Sequence, residues 1–190
     1  MLDLSPRIRL AIGIALALLL AVTRGHHFSE INLPSASWAV FFLAGALLPA
    51  RWAFPALFLE AVGLDLAAVT WGGASNWCVT PAYWLLLPAY AALWFGGRTY
   101  ARLHRDAWSS LASLLACLLV SSVVCHLLSS GGFYFFSGRY ADASLAGFLP
   151  RIAAYYPLSL QALALYVGVA ALLLAAAHAF RQLRSAEVSR

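Results

Sequence analysis

ASWAVFFLAGALLPARWAFPALFLEAVGLDLAAV, residues 36–69, has only Arg51, Glu60 and Asp65 as ionisable side chains. Two apolar runs, Ala36 to Ala50 and Trp52 to Val69, are divided by nothing more than Pro49 and Arg51. Runs of this length match a bilayer core about 30 Å thick, and the break between them reads as the turn of a tight hairpin of membrane helices. Working outward, apolar stretches bounded by charges or Pro/Gly clusters place four further spans, at Ile8 to Val22, Pro81 to Phe95, Trp108 to Leu128 and Tyr155 to Phe180. Several lie near the short limit of about 17 residues, so tilt must absorb the mismatch. The expected fold is an all-α membrane protein, one integral domain of six transmembrane helices over residues 1–190. No second domain, low-complexity tract or internal repeat is visible. The first helix is read as a true span, because Val22-Thr23-Arg24-Gly25 lacks a small-x-small cleavage site.

Composition agrees. Hydrophobic residues make up 63% of the chain and charged residues 10%, with mean hydropathy +0.82; a soluble domain has about 25% charged residues. All 12 basic residues are Arg, and the net charge is +5. They punctuate apolar runs and do not cluster on a polar face, which excludes a nucleic-acid-binding surface and leaves lipid as the surrounding medium. Cys78, Cys117 and Cys125 form neither a CxxC pair nor an even set, so no disulfide framework or zinc knuckle is implied.

Orientation follows from the arginines, which are retained on the cytoplasmic side of span ends. One side of a six-span chain carries Arg7, Arg9, Arg51, Arg98, Arg102, Arg105, Arg181, Arg184 and Arg190, against Arg24, Arg139 and Arg151 on the other. Both termini are therefore expected in the cytoplasm. The outward loops run from Arg24 to Ser35, Val69 to Thr80 and Ser129 to Ala154. The last is the longest, with Ser130-Gly131-Gly132-Phe133 as its expected hinge and the following aromatics as a lid.

Polar and aromatic chemistry is polarised to these outward loops, which hold His26, His27, Glu30, Trp77, Cys78, Tyr134, Arg139, Tyr140, Arg151 and Tyr155. A belt of interfacial Trp and Tyr is the bland account of the aromatics. Two carboxylates argue for more, since Glu60 and Asp65 lie inside the third span, where an ionisable group marks a site or a buried partner. Asp65 is nearer the outer end. Glu60 is deeper, where pairing with a neighbouring helix suffices. Cys78 stands in Gly72-Gly73-Ala74-Ser75-Asn76-Trp77-Cys78-Val79-Thr80-Pro81, whose glycines and proline hold the backbone in a loop. A sulfur presented there ligates a transition metal or acts as a nucleophile, with Asp65, His26 and Tyr83 as neighbours. Cys117 and Cys125 read as packed residues within the fifth span. His126, near the outer end of that span, is placed to line a pocket, but no spacing selects it.

Six short spans, both ends inside, three outward loops converging on a pocket and a lone loop Cys followed by Pro81 and Tyr83 together resemble the BtuM family. These are the solitary vitamin B12 (cobalamin) substrate-binding S-components of the energy-coupling-factor (ECF) transporters. The similarity covers nearly the whole chain and is most specific from Asp65 to Tyr83. It implies binding and uptake of cobalamin, or a precursor such as cobinamide, with Cys78 as an axial ligand to cobalt and His26, Asp65, Tyr83 and Arg151 as pocket residues. Ala11-x-x-x-Ala15 on the first helix looks like the motif by which S-components pack on a coupling subunit, so an ECF energising module is the implied partner. The chain has no Walker A pattern of its own.

The ligand chemistry fits the loops. Trp77 and Tyr134 offer surfaces for a corrin ring, and Arg139 or Arg151 a charge-assisted contact to its phosphate. A Cys78 thiolate below cobalt donates electron density and weakens the bond to an upper cyanide, which would assist reductive decyanation of cyanocobalamin, with Asp65, His26 and Tyr83 positioning the thiol or its proton. The alternative is an intramembrane enzyme with Cys78 as nucleophile, His26 as base and Asp65 as orienting group, acting on a lipid or acyl substrate. A haem site at His26 and His27 is weaker, because adjacent side chains point in different directions.

Overall fold

The computed structural model describes residues 5–24, 33–105 and 109–188. Seven α-helices are present there: α1 Pro6–Arg24, α2 Ser37–Leu47, α3 Ala53–Thr70, α4 Leu86–Leu103, α5 Ser109–His126, α6 Gly132–Phe136 and α7 Leu145–Val188. The described residues form no strand. Four stretches are long and apolar enough to cross a membrane: Pro6–Arg24, Ala53–Thr70, Ser110–Phe136 and Leu145–Phe180. Among the described residues the fold is therefore all-helical and compatible with an all-α membrane protein.

Helix α2 differs from its expected span. It ends at Leu47, giving 11 residues, about 16 Å at 1.5 Å per residue, and Leu48 turns to extended backbone before Pro49. Apolar on every side, it is buried nearly all round and forms the centre of the bundle. Its tightest neighbour is α4. A Cβ on Gly45 would stand 2.1 Å from the Trp94 carbonyl oxygen, and one on Gly97 would stand 2.0 Å from that of Phe42, so these two glycines let the backbones touch. Phe41 stacks on Tyr90 at 4.4 Å between ring centroids and meets Phe54 at 5.7 Å, joining α2, α3 and α4 in one core.

The fourth helix starts later than expected, because Pro81–Leu85 is a 3-10 turn, and it continues past Phe95 to Leu103. The largest departure concerns the long outward loop. Helix α5 continues through a π turn, Leu127–Gly131, into α6, and α7 begins at Leu145 with Pro150 and Pro157 inside it. Non-helical backbone is confined to residues 137–144. The Ser130 to Phe133 segment is therefore helical, and the expected open hinge is not there. Gly131 and Gly132 are packing positions: added Cβ atoms would lie 3.2 Å from the Phe148 ring and 2.4 Å from Leu85. On the outer surface of α1, Ala11 and Ala15 are exposed in line with Leu18 and Val22.

Candidate functional site

At the end of the bundle where α1 and α3 finish and α4 and α7 begin, the chain encloses a cavity of about 640 Å³. Local chemistry builds its rim. Helix α3 stops at Thr70, and Gly73 takes φ +65°, a left-handed conformation suited to glycine, while the Ala74 amide donates to the Ala68 carbonyl at 3.0 Å. The chain turns back and passes into a 3-10 turn, Asn76–Cys78, capped by the Ser75 hydroxyl, which accepts from the Trp77 amide. Ser75 and Val79, on either side of that turn, line the cavity.

A charged network forms one wall. The Arg24 guanidinium clamps Asp65 with two bonds, Nε to Oδ1 and Nη2 to Oδ2, each 2.6 Å. Its Nη1 donates to Ser37 Oγ at 2.9 Å and to the Tyr90 hydroxyl at 2.8 Å, and the Tyr83 hydroxyl donates to Asp65 Oδ2 at 2.7 Å. One arginine at the end of α1 thereby ties α2, α3 and α4, with fork-to-carboxylate geometry that favours Arg over Lys. Thr23 adds a second tie, its hydroxyl accepting from the Ala36 amide at 3.2 Å before α2 begins.

The opposite wall is aromatic and cationic. Tyr134 stacks on Phe148 at 5.5 Å and meets Tyr140 at 4.8 Å. Arg151 sits over both tyrosine rings, 5.3 Å from Tyr134 and 4.5 Å from Tyr140. Arg151 makes no ion pair among the described residues, where Arg24 to Asp65 is the one salt bridge.

Of the residues expected at the site, Asp65, Tyr83, Tyr134 and Arg151 converge on this cavity. Arg139 lies instead over the Trp77 ring at 4.8 Å, and neither residue is part of the lining. His26 falls outside the described residues. For Cys78 the backbone is described and the side chain is not, so its expected role as ligand or nucleophile rests on the sequence. Among the described residues no three His, Cys, Asp or Glu side chains gather as a metal site. Glu60 is half-buried and has no ion pair there, so the expected partner helix is not found.

Arg24 is the residue the sequence reading missed, having been counted only as a marker of topology. Asp65 inside a span was the signal, since an intramembrane carboxylate requires a cation, and Arg24 ends the helix beside it. No family model and no curated protein matches this chain.

Proposed function

We propose that the chain is a cobalamin-binding receptor and transporter of the S-component type, with the cavity at the outer end of a six-span bundle in a bacterial cytoplasmic membrane and both termini inside. The observation that carries this reading is the cavity, with one wall of hydrogen-bonding groups, one of aromatic rings and an Arg151 that has no ion pair among the described residues, and the Cys78 turn at its rim. Its volume falls within the range of about 300–1,000 Å³ for sites that take drug-sized molecules. Cobalamin is larger than these, so part of it would project between the loops. Short α2 and polar-ended α4 would complete the six spans as tilted or centrally buried helices.

In this reading Asp65 is not a base. Both of its oxygens are taken by Arg24 and Tyr83, so the network acts as a fixed wall against which the ligand is oriented. The same engagement weighs against Asp65 as the orienting group of the Cys78, His26 and Asp65 enzyme alternative. Cys78 would hold the cobalt of cobalamin, and with an external thiol as reductant, itself oxidised to a disulfide, its sulfur donation would favour release of cyanide as the anion. The exposed Ala11 and Ala15 face of α1 is where an energising module would dock.

The test is the visible spectrum and cobalt content of protein purified after addition of cyanocobalamin, beside Cys78→Ala. Stoichiometric cobalt with a spectrum altered in the variant is expected. No cobalt in either protein would overturn the reading.

A further inference from the structure

Behind the cavity wall, His126 closes α5 as an almost fully buried side chain, 2% exposed. An ionisable group at such a position in an apolar helix is costly and calls for a physical reason. Its Nδ1 lies 3.4 Å from Oγ of Ser130, one turn further on and inside the π turn, and Ser130 lines the cavity. Its Nε2 has no hydrogen-bond partner among the described residues. Trp38 of α2 stands edge-on to the imidazole at 6.2 Å, and Tyr156 of α7 at 5.2 Å, with the Tyr156 hydroxyl engaged by Ser122 at 2.9 Å. None of these neighbours is charged.

A neutral imidazole has one N–H and one bare nitrogen. If the proton were on Nε2, a buried donor would be stranded among aromatic rings, and Nδ1 would draw the Ser130 proton away from the cavity. With the proton on Nδ1, Ser130 Oγ satisfies the donor and only a lone pair is left unmatched, the better tolerated of the two defects. A doubly protonated ring would strand the Nε2 donor again. We infer that His126 is held as the neutral Nδ1–H tautomer and that, by donating to Ser130, it leaves the Ser130 hydroxyl proton to be given to a carbonyl of the ligand in the cavity. Ser130 is then a specificity-determining donor and His126 its positioning residue.

The local backbone supports this. Ser129, the neighbouring cavity hydroxyl, is committed to the Cys125 carbonyl at 2.7 Å, which leaves Ser130 as the donor of the pair. A π turn, a feature frequent at functional sites, brings both serines to the lining. The amide-bearing rim of a corrin supplies such carbonyls, and only this identification of the ligand rests on the cobalamin reading.

Nitrogen-15 NMR of histidine-labelled protein in detergent, with His126 assigned by its loss in His126→Phe, reads the tautomer directly. A protonated Nδ1 is expected; a protonated Nε2 would overturn the inference whether or not cobalamin binds. Should His126→Phe fail to fold, Ser130→Ala gives the assignment through the shift change at its partner ring. In binding, Ser130→Ala and His126→Phe should each weaken cyanocobalamin by about tenfold, the effect of one lost hydrogen bond, with the double variant no worse than either. Additive losses, or none in Ser130→Ala, would also overturn it. If the parent protein binds no cyanocobalamin, the cobalamin reading fails and the tautomer measurement alone decides this one.

Discussion

Arg24 illustrates how one side chain organises this molecule. Its bidentate bond to Asp65 is partly shielded, with the two side chains 14% and 28% exposed. Removing one charge strands the other, so Asp65→Asn is expected to lower stability by about 2 kcal/mol, less than a fully buried pair because Asp65 still meets the cavity. Replacing both with leucine should cost less than Asp65→Asn alone, since no unpaired charge remains; thermal unfolding in detergent compares the three proteins. Tyr83→Phe removes one bond to Asp65 and keeps the clamp, so about 1 kcal/mol is expected from the same measurement. Asp65 was legible because a carboxylate in a span is unusual, and Tyr83 because it stands close after Cys78 and matches the resembled family. Arg24 was not, because an arginine at a helix end is what topology alone demands. Ser130 and His126 were invisible as a pair: the first sat in a stretch read as loop, and the second had no spacing to distinguish it.

At the scale of elements, close approach of α2 and α4 depends on missing side chains. Gly97→Ala would press a methyl group into the Phe42 carbonyl and force the helices apart, with an expected loss of about 2 kcal/mol. Gly63→Ala is the matched control, since nothing lies within 4 Å of the added atom, and it should unfold at or above the parent temperature. The first, third and fifth helices followed directly from apolar length, as did residues 155–180 of the seventh. Two errors share a cause. Gly131 and Gly132 were taken as a hinge and the stretch around Pro150 as loop, yet the glycines fit against Phe148 and Leu85, and helices in apolar surroundings keep a proline when neighbours re-satisfy the freed backbone groups. Helix α2 erred the other way: apolar enough to be extended to Ala50 on paper, it is cut short where the chain must turn into α3.

For the molecule as a whole, the arrangement of arginines and the cavity's place at one end make opposite demands on the two surfaces, which labelling can separate. In a cysteine-free background, Asn76→Cys should react with a membrane-impermeant maleimide on intact cells, and Thr99→Cys only after permeabilisation. Reversed labelling would invert the proposed orientation, and labelling of both from outside would remove the six-span topology. The Arg24 to Asp65 clamp has a final consequence for how the chain is made. Its partners are 41 residues apart, so while the ribosome has delivered only the first helix, the guanidinium at its end has no counter-charge and stays hydrated at the membrane surface. In the proposed six-span topology the arginine would gain a reason to leave water only when the third helix enters, so the final depth of the first helix would depend on the arrival of the third.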